Sequence, residues 1–134
     1  GLPFPAGKAV DTLAMEAQEA RAYPVKVNEG AFSLSGLENQ MNGRLERGDH
    51  PAQVCRFVLG SVAGAIVKAT QYALERYPGL PVLYSGGVAS SKYLRLQAAK
   101  AHRAVFATPR FSADNAMGVA ILAHRMLMKE QQDE

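Results

Sequence analysis

The chain has 134 residues, 48% hydrophobic and 20% charged, with a formal net charge of +3 at pH 7. That is enough apolar material for one globular core and too little length for two domains. The modest positive charge permits contact with nucleic acid without requiring it, and a single cysteine, Cys55, excludes an internal disulfide and fits a reducing, cytoplasmic setting.

The first seven residues, Gly-Leu-Pro-Phe-Pro-Ala-Gly, read as a loop. They begin on Gly rather than Met and lack the basic-then-apolar pattern of a secretory leader. We therefore expect a segment of a longer protein. Residues 8–22 then predict an amphipathic helix, with Val10, Leu13, Ala14 and Ala17 on one side and Pro24 as its stop. Residues 23–28 and 31–36 predict short strands around a Glu29-Gly30 turn. Residues 37–47 predict a helix ended by Gly48. Asp49 or His50 then caps a further helix, with Pro51 in its first turn.

Residues 54–74 form the longest apolar run. Arg56 and Lys68 interrupt it, as do Gly60, Ser61 and Gly64. It is not a clean membrane span, and no membrane partner is expected. Apolar residues almost all round predict a helix buried in the core, approached closely at its small residues. After a break at Tyr77-Pro78-Gly79 come a strand at 81–84, a helix at 90–101, a strand at 104–107 and a helix at 112–128. This alternation predicts a parallel α/β layer. Two convincing strands make a poor sheet. Its missing strands would come from the rest of a larger protein or from a partner copy of this chain.

The chemistry concentrates where the strand at 81–84 runs into Ser85-Gly86-Gly87. A strand, a glycine pair and a helix start present backbone N–H groups unobstructed, with the helix dipole adding positive charge. That suits a phosphate or nucleotide, although a Gly-Gly pair also makes ordinary tight turns. A second strand-to-helix junction carries Asp114, which reads either as a helix cap or as a ligand. If the strands are parallel neighbours, both junctions open on one edge of the sheet, where such sheets bind ligands.

Other signals are weaker. No nucleophile elbow or Walker-type loop is present. His50, His102 and His124 have no partner at metal-ligand spacing, and Cys55 reads as packing. The loop Ser33-Leu34-Ser35-Gly36-Leu37 could hold a ligand or cap a helix, with the cap favoured. Arg44, Arg47, Lys92, Arg95, Lys100 and Arg103 are scattered without aromatic interleaving, which reads as a solvated surface.

Four segments together resemble one family. The opening run through Ala14 resembles "GL-x-[YF]-P-G-G-P-x-x-[ED]-x-[LM]-A" and Phe32 to Leu37 resembles "F-S-F-S-G-L". Ser85 to Arg95 resembles "A-G-G-V-A-A-N-x-x-L-R", and Ala113 to Met117 resembles "T-D-N-A-A-M". They occur in the right order and cover nearly the whole chain. The family is that of the tRNA threonylcarbamoyladenosine-forming transferases, long called glycoproteases or O-sialoglycoprotein endopeptidases.

The resemblance implies an α/β chain, helix-rich with a short parallel sheet. It would be part of an actin-like (sugar-kinase/RNase H-like) ATPase lobe, with residues 1–134 forming a C-terminal lobe fragment. It implies ATP or threonylcarbamoyl-adenylate as ligand, with Gly7 against the sugar, Asp11 on the nucleoside, and Gly86, Gly87 and Ser91 beside the nucleotide. It implies Asp114 as a ligand of iron or zinc, the other ligands lying in a missing N-terminal lobe. One carboxylate does not hold a transition metal, so the chain alone is expected to be inactive.

Expected partners of the whole protein are nucleotide, tRNA and other subunits of a modification complex. The sequence departs from the family at three places. Ser91 stands for Asn, Glu38 reverses a lysine charge, and Ala6 replaces the first loop glycine. These departures also suit an alternative, a non-catalytic actin-like partner or scaffold module. A metallopeptidase is the least favoured reading.

Overall fold

The structure, a computed structural model, describes residue 2 and residues 5–18, 21–112 and 116–130. Helix α1 spans Gly7–Glu16. A hairpin of β1, Val27–Asn28, and β2, Ala31–Phe32, leads into α2, Ser35–Glu46. The long helix α3 spans Pro51–Arg76. Strand β3, Val82–Tyr84, then a 3-10 turn at Val88–Ser90, lead to α4, Lys92–Ala101. Strand β4, Ala104–Phe106, is followed by α5, Pro109–Ser112, and α6, Ala116–Glu130. The result is a helix-rich α/β arrangement, as expected.

Strands β3 and β4 are parallel, with Val82 opposite Ala104, Leu83 opposite Val105 and Tyr84 opposite Phe106. Val82, Tyr84, Ala104 and Phe106 are half-buried, while Leu83 and Val105 on the opposite face are 67% and 62% exposed. The hairpin is antiparallel, and its turn residues Glu29 and Gly30 both have positive φ, 49° and 81°. That is the twist a two-residue hairpin turn needs. Its strands are shorter than the alternation predicts, because Pro24 interrupts one side and Ser33 already belongs to the entry of α2, its Oγ accepting from the Ser35 N–H.

Helix α1 also stops early, at Glu16 rather than residue 22. The helix propensity of Ala17 is overridden there. Ala17 turns extended, and further along the Tyr23 N–H donates to Ser61 Oγ at 2.8 Å. Ser61 is buried and passes its own proton to the Phe57 carbonyl. A Cβ at Gly60 would sit 3.4 Å from both Ala22 Cβ and the Tyr93 hydroxyl, so the small residues do permit close approach there. At Gly64 nothing lies within 4 Å.

The core forms where α1 and α4 lie against the first half of α3. Ala63, Tyr93 and Leu94 cluster there with Leu59 and Ile66. Arg56 lies 4.5 Å over the Tyr93 ring and donates to the Ala14 carbonyl. The buried residues of α3 all fall between Ala52 and Ala65, so the expectation of a helix buried throughout holds only for its first half. Its second half borders an open apolar cleft of about 410 Å³, lined by Ile66, Thr70, Leu74, Pro81, Tyr84 and Phe32 among others. Composition and length are enough for α3 to cross a membrane, but its first half packs as a core helix. Its start is as expected: the His50 ring Nδ1 accepts from the Ala52 N–H, with Pro51 in the first turn. Asp49 instead pairs with Arg44 at 2.8 Å.

Candidate functional site

The parallel pairing of β3 and β4 puts the carboxyl ends of both strands on one edge. The Ala107 N–H extends the ladder to the Tyr84 carbonyl, and the two junctions then meet directly. The Gly86 N–H donates to Ser112 Oγ at 2.5 Å, and the Ser112 hydroxyl donates back to the Gly86 carbonyl at 3.1 Å. Gly86 has φ +105°, a conformation that glycine reaches without strain. Beside it Gly87 has ordinary helical angles and starts the 3-10 turn. A Cβ at Gly86, Gly87 or Gly7 would meet nothing within 4 Å, so the backbone at all three stands open to an incoming molecule.

The helix start differs from its prediction. The 3-10 turn separates Gly87 from α4, and Ser91 caps α4 by accepting from the Leu94 N–H at 3.1 Å. Asp11 reaches over from α1 to the same place. Its Oδ1 accepts from the Ser91 hydroxyl at 2.6 Å and from the Tyr93 N–H at 3.1 Å, while Oδ2 accepts from the Lys92 N–H at 2.9 Å. A carboxylate therefore already occupies the positive end of α4. The N–H groups of α4 that would have cradled a phosphate are engaged by this chain's own side chain. Gly7 lies one turn before Asp11 on the same face of α1. Gly7, Asp11 and Ser91 thus form one group, Gly86, Gly87 and Ser112 another, and the three-residue turn joins them.

Arg95 is not the solvated cation expected from its spacing. Its guanidinium donates to the carbonyls of Ala89 and Ala107 at 2.9 and 2.7 Å and lies 5.0 Å over the Phe106 ring. It cross-ties the two junctions. Glu38 sits in the first turn of α2, where a negative charge complements the helix dipole. Ser33 and Ser35 bond one another at 3.1 Å, while the N-cap position of α2 falls on Leu34, which has no side-chain cap bond.

Asp114 lies outside the described residues. Among the described residues no three His, Cys, Asp or Glu side chains converge as metal ligands, so this part of the chain does not by itself complete a metal centre. Sequence reasoning missed Ser112 as the tie between the junctions, and it missed the hydrogen bond from Tyr84 to His102 at 2.8 Å. The first lies in a loop whose partner is 26 residues away, and the second joins residues with no common motif.

A helix-rich α/β chain brings two strand-to-helix junctions, one of them a bare glycine pair, onto one sheet edge, the edge at which open α/β sheets commonly bind ligands. The comparison with known proteins narrows this. Residues 1–121 match the TsaD family, tRNA N6-adenosine threonylcarbamoyltransferase, and the chain belongs to that family. It is 31% identical over 135 residues to the tRNA N6-adenosine threonylcarbamoyltransferase of Streptococcus equi subsp. zooepidemicus, covering 92% of this chain and 40% of that protein. The protein of the same description from Streptococcus suis is 32% identical over 142 residues, covering 97% of this chain and 42% of its own length. The chain thus spans about two fifths of the relatives it matches.

Proposed function

We propose that this chain is the nucleotide-facing C-terminal lobe of an actin-like protein that transfers a threonylcarbamoyl group from an adenylate to N6 of a tRNA adenosine. In that reaction the adenine amine attacks the carbamoyl carbon, the bond to the adenylate oxygen breaks, and AMP leaves as the amine gives up a proton. The observation that carries the reading is the open Gly86-Gly87 backbone, held by Ser112 on the edge where β3 and β4 end. An unobstructed backbone there can lie against a ribose or phosphate of the adenylate. Gly7 would present a second bare surface. Asp11 keeps one acceptor site free on Oδ2, enough to take a hydroxyl or amine of the nucleoside without releasing α4.

In this reading the chain orients the adenylate and does not itself carry the chemistry. Bound iron or zinc would supply Lewis-acid stabilisation of the carbamoyl donor. The described residues do not form its ligand set, and Asp114 would add one oxygen to ligands supplied by the rest of the protein. Alone, the chain would lack the opposing wall of the cleft and would be inactive.

The test is calorimetry with ATP on the full-length protein and on this chain, beside transfer of labelled threonylcarbamoyl to tRNA. Binding and transfer are expected for the full-length protein and neither for the chain alone. Micromolar ATP binding by the chain alone would overturn the half-site. Full-length Asp114→Ala should lose metal and transfer together. The mutual engagement of Asp11 with Ser91 favours a second reading, a non-catalytic actin-like subunit of a modification complex, because both residues then serve as a helix cap. A full-length protein that binds its complex but neither metal nor ATP would establish it.

A further inference from the structure

A half-buried hydrogen-bond chain runs from the end of β3 to α3 and to the end of α4. Thr70 Oγ1 donates its only proton to the Ile66 carbonyl at 2.9 Å. Towards Tyr84, 2.7 Å away, it can therefore only accept, so the Tyr84 phenol is the donor. The phenol oxygen is left to accept from His102 Nε2 at 2.8 Å, which requires the proton of the imidazole to be on Nε2. Nδ1 of the same ring is buried and makes no hydrogen bond, as a bare acceptor nitrogen can with less penalty than an N–H facing nothing. Every proton in the chain thus has one direction, from His102 through Tyr84 and Thr70 to the backbone of α3.

We propose that His102 is a positioning residue for the Gly86-Gly87 junction, acting through Tyr84 as its Nε2–H tautomer. Tyr84 is the last residue of β3 and stands two residues before Gly86. Its ring stacks on Phe106 at 5.2 Å, and Arg95 lies over Phe106 in turn. The hydroxyl ties the end of β3 both to α3 and to the C-terminal cap of α4, where His102 sits. Rotation of the phenol would shift the strand end, and the junction backbone with it. A ligand held by backbone groups tolerates little such displacement, since hydrogen bonds weaken steeply with distance and angle. Burial raises the Tyr84 phenol above its ordinary range, which is consistent with a phenol that remains a donor.

The proposal rests on the reading that the junction faces nucleotide, and the test separates the two. In the full-length protein, nitrogen NMR should show His102 protonated at Nε2 and bare at Nδ1; the other tautomer would overturn the hydrogen-bond chain whatever the junction binds. Calorimetry with ATP should then show Tyr84→Phe, which keeps the stacked ring, and His102→Leu each weakening binding by about three- to tenfold. The two changes combined should cost no more than either alone. His102→Gln, which restores a donor, should recover most of the affinity. Lowered melting temperatures with unchanged affinity, or additive losses, would make His102 merely structural and overturn the proposal. A wild-type protein that binds no ATP would overturn the nucleotide reading instead, and with it the positioning role, while the tautomer result would stand by itself.

Discussion

The carboxylate of Asp11 and the hydroxyl of Ser91 meet at 2.6 Å, although 80 residues separate them. Ser91 in turn accepts from the Leu94 N–H, so one helix end is closed by a local cap with a distant carboxylate behind it. This contact fixes α1 against α4 and places Gly7, Asp11 and Ser91 together, which no local pattern in either segment announces.

Removing that carboxylate should destabilise the chain. Asp11→Ala is expected to lower stability by about 1–2 kcal/mol and Ser91→Ala by about 1 kcal/mol, the usual range for a helix cap. Because the two share hydrogen bonds, the double variant should cost less than the sum, by about 0.5 kcal/mol or more. Chemical denaturation of the four proteins measures this. Strict additivity would mean that the Asp11–Ser91 contact contributes nothing beyond the separate caps.

The two junction glycines should respond differently to the same change. Gly86→Ala forces a side chain onto φ +105° and should cost about 1–3 kcal/mol even though no atom blocks it. Gly87→Ala meets neither strain nor obstruction and should leave stability unchanged or raise it by about 0.4–1 kcal/mol. In the full-length protein, however, Gly87→Ala should weaken ATP binding, because the added methyl stands where the ligand would approach. Unaltered affinity in this variant would remove Gly87 from the site.

Much of this architecture can be read directly from the residues. The β3 and β4 pairing follows from two short apolar runs separated by a helix-length segment, and the boundary between α2 and α3 follows from Gly48, His50 and Pro51. The family is carried by four motifs in order. What could not be read were features decided by distant partners. Helix α1 ends early where Ala17 turns extended, and Tyr23 further along is held by distant Ser61. The second half of α3 is not buried, because periodicity records which residues are apolar and not what covers them. Ser91 drew attention as a nucleotide contact, while its position just before the periodic run of α4 carried the capping signal. Arg95 looked like a surface charge because its carbonyl partners, Ala89 and Ala107, leave no trace in side-chain spacing.

Alkaline stability should report on Tyr84. Burial holds its phenol above the ordinary value near 10. The unfolded chain therefore loses this proton at lower pH than the folded one. The contribution is complete below about pH 10 and fades as pH rises through the folded value. Melting temperature should fall as pH rises above about 10 in the wild type, and less steeply in Tyr84→Phe. Identical slopes would show that Tyr84 is not responsible.

Cys55 should be a slow nucleophile. Burial raises its thiol above the usual value, and the thiolate is the reactive form. At pH 8 iodoacetamide should alkylate it more slowly than a free thiol, and denaturant should abolish the difference. Equal rates in the native chain would show that the thiol is open to solvent.

The bare pairing of Leu83 with Val105 has a colloidal consequence. Parallel sheets ordinarily have both faces covered, and here two large aliphatic side chains stand side by side and mostly exposed. Such a patch makes particles adhere when they collide. Produced by itself, the chain should therefore scatter more light as it is concentrated, and more so in salts that strengthen apolar association. Leu83→Lys should keep the solution monodisperse without disturbing Tyr84 or Gly86, whose side of the strand it does not touch. Set against a further layer of structure, the same two residues would become an adhesive seam instead of a hazard in solution.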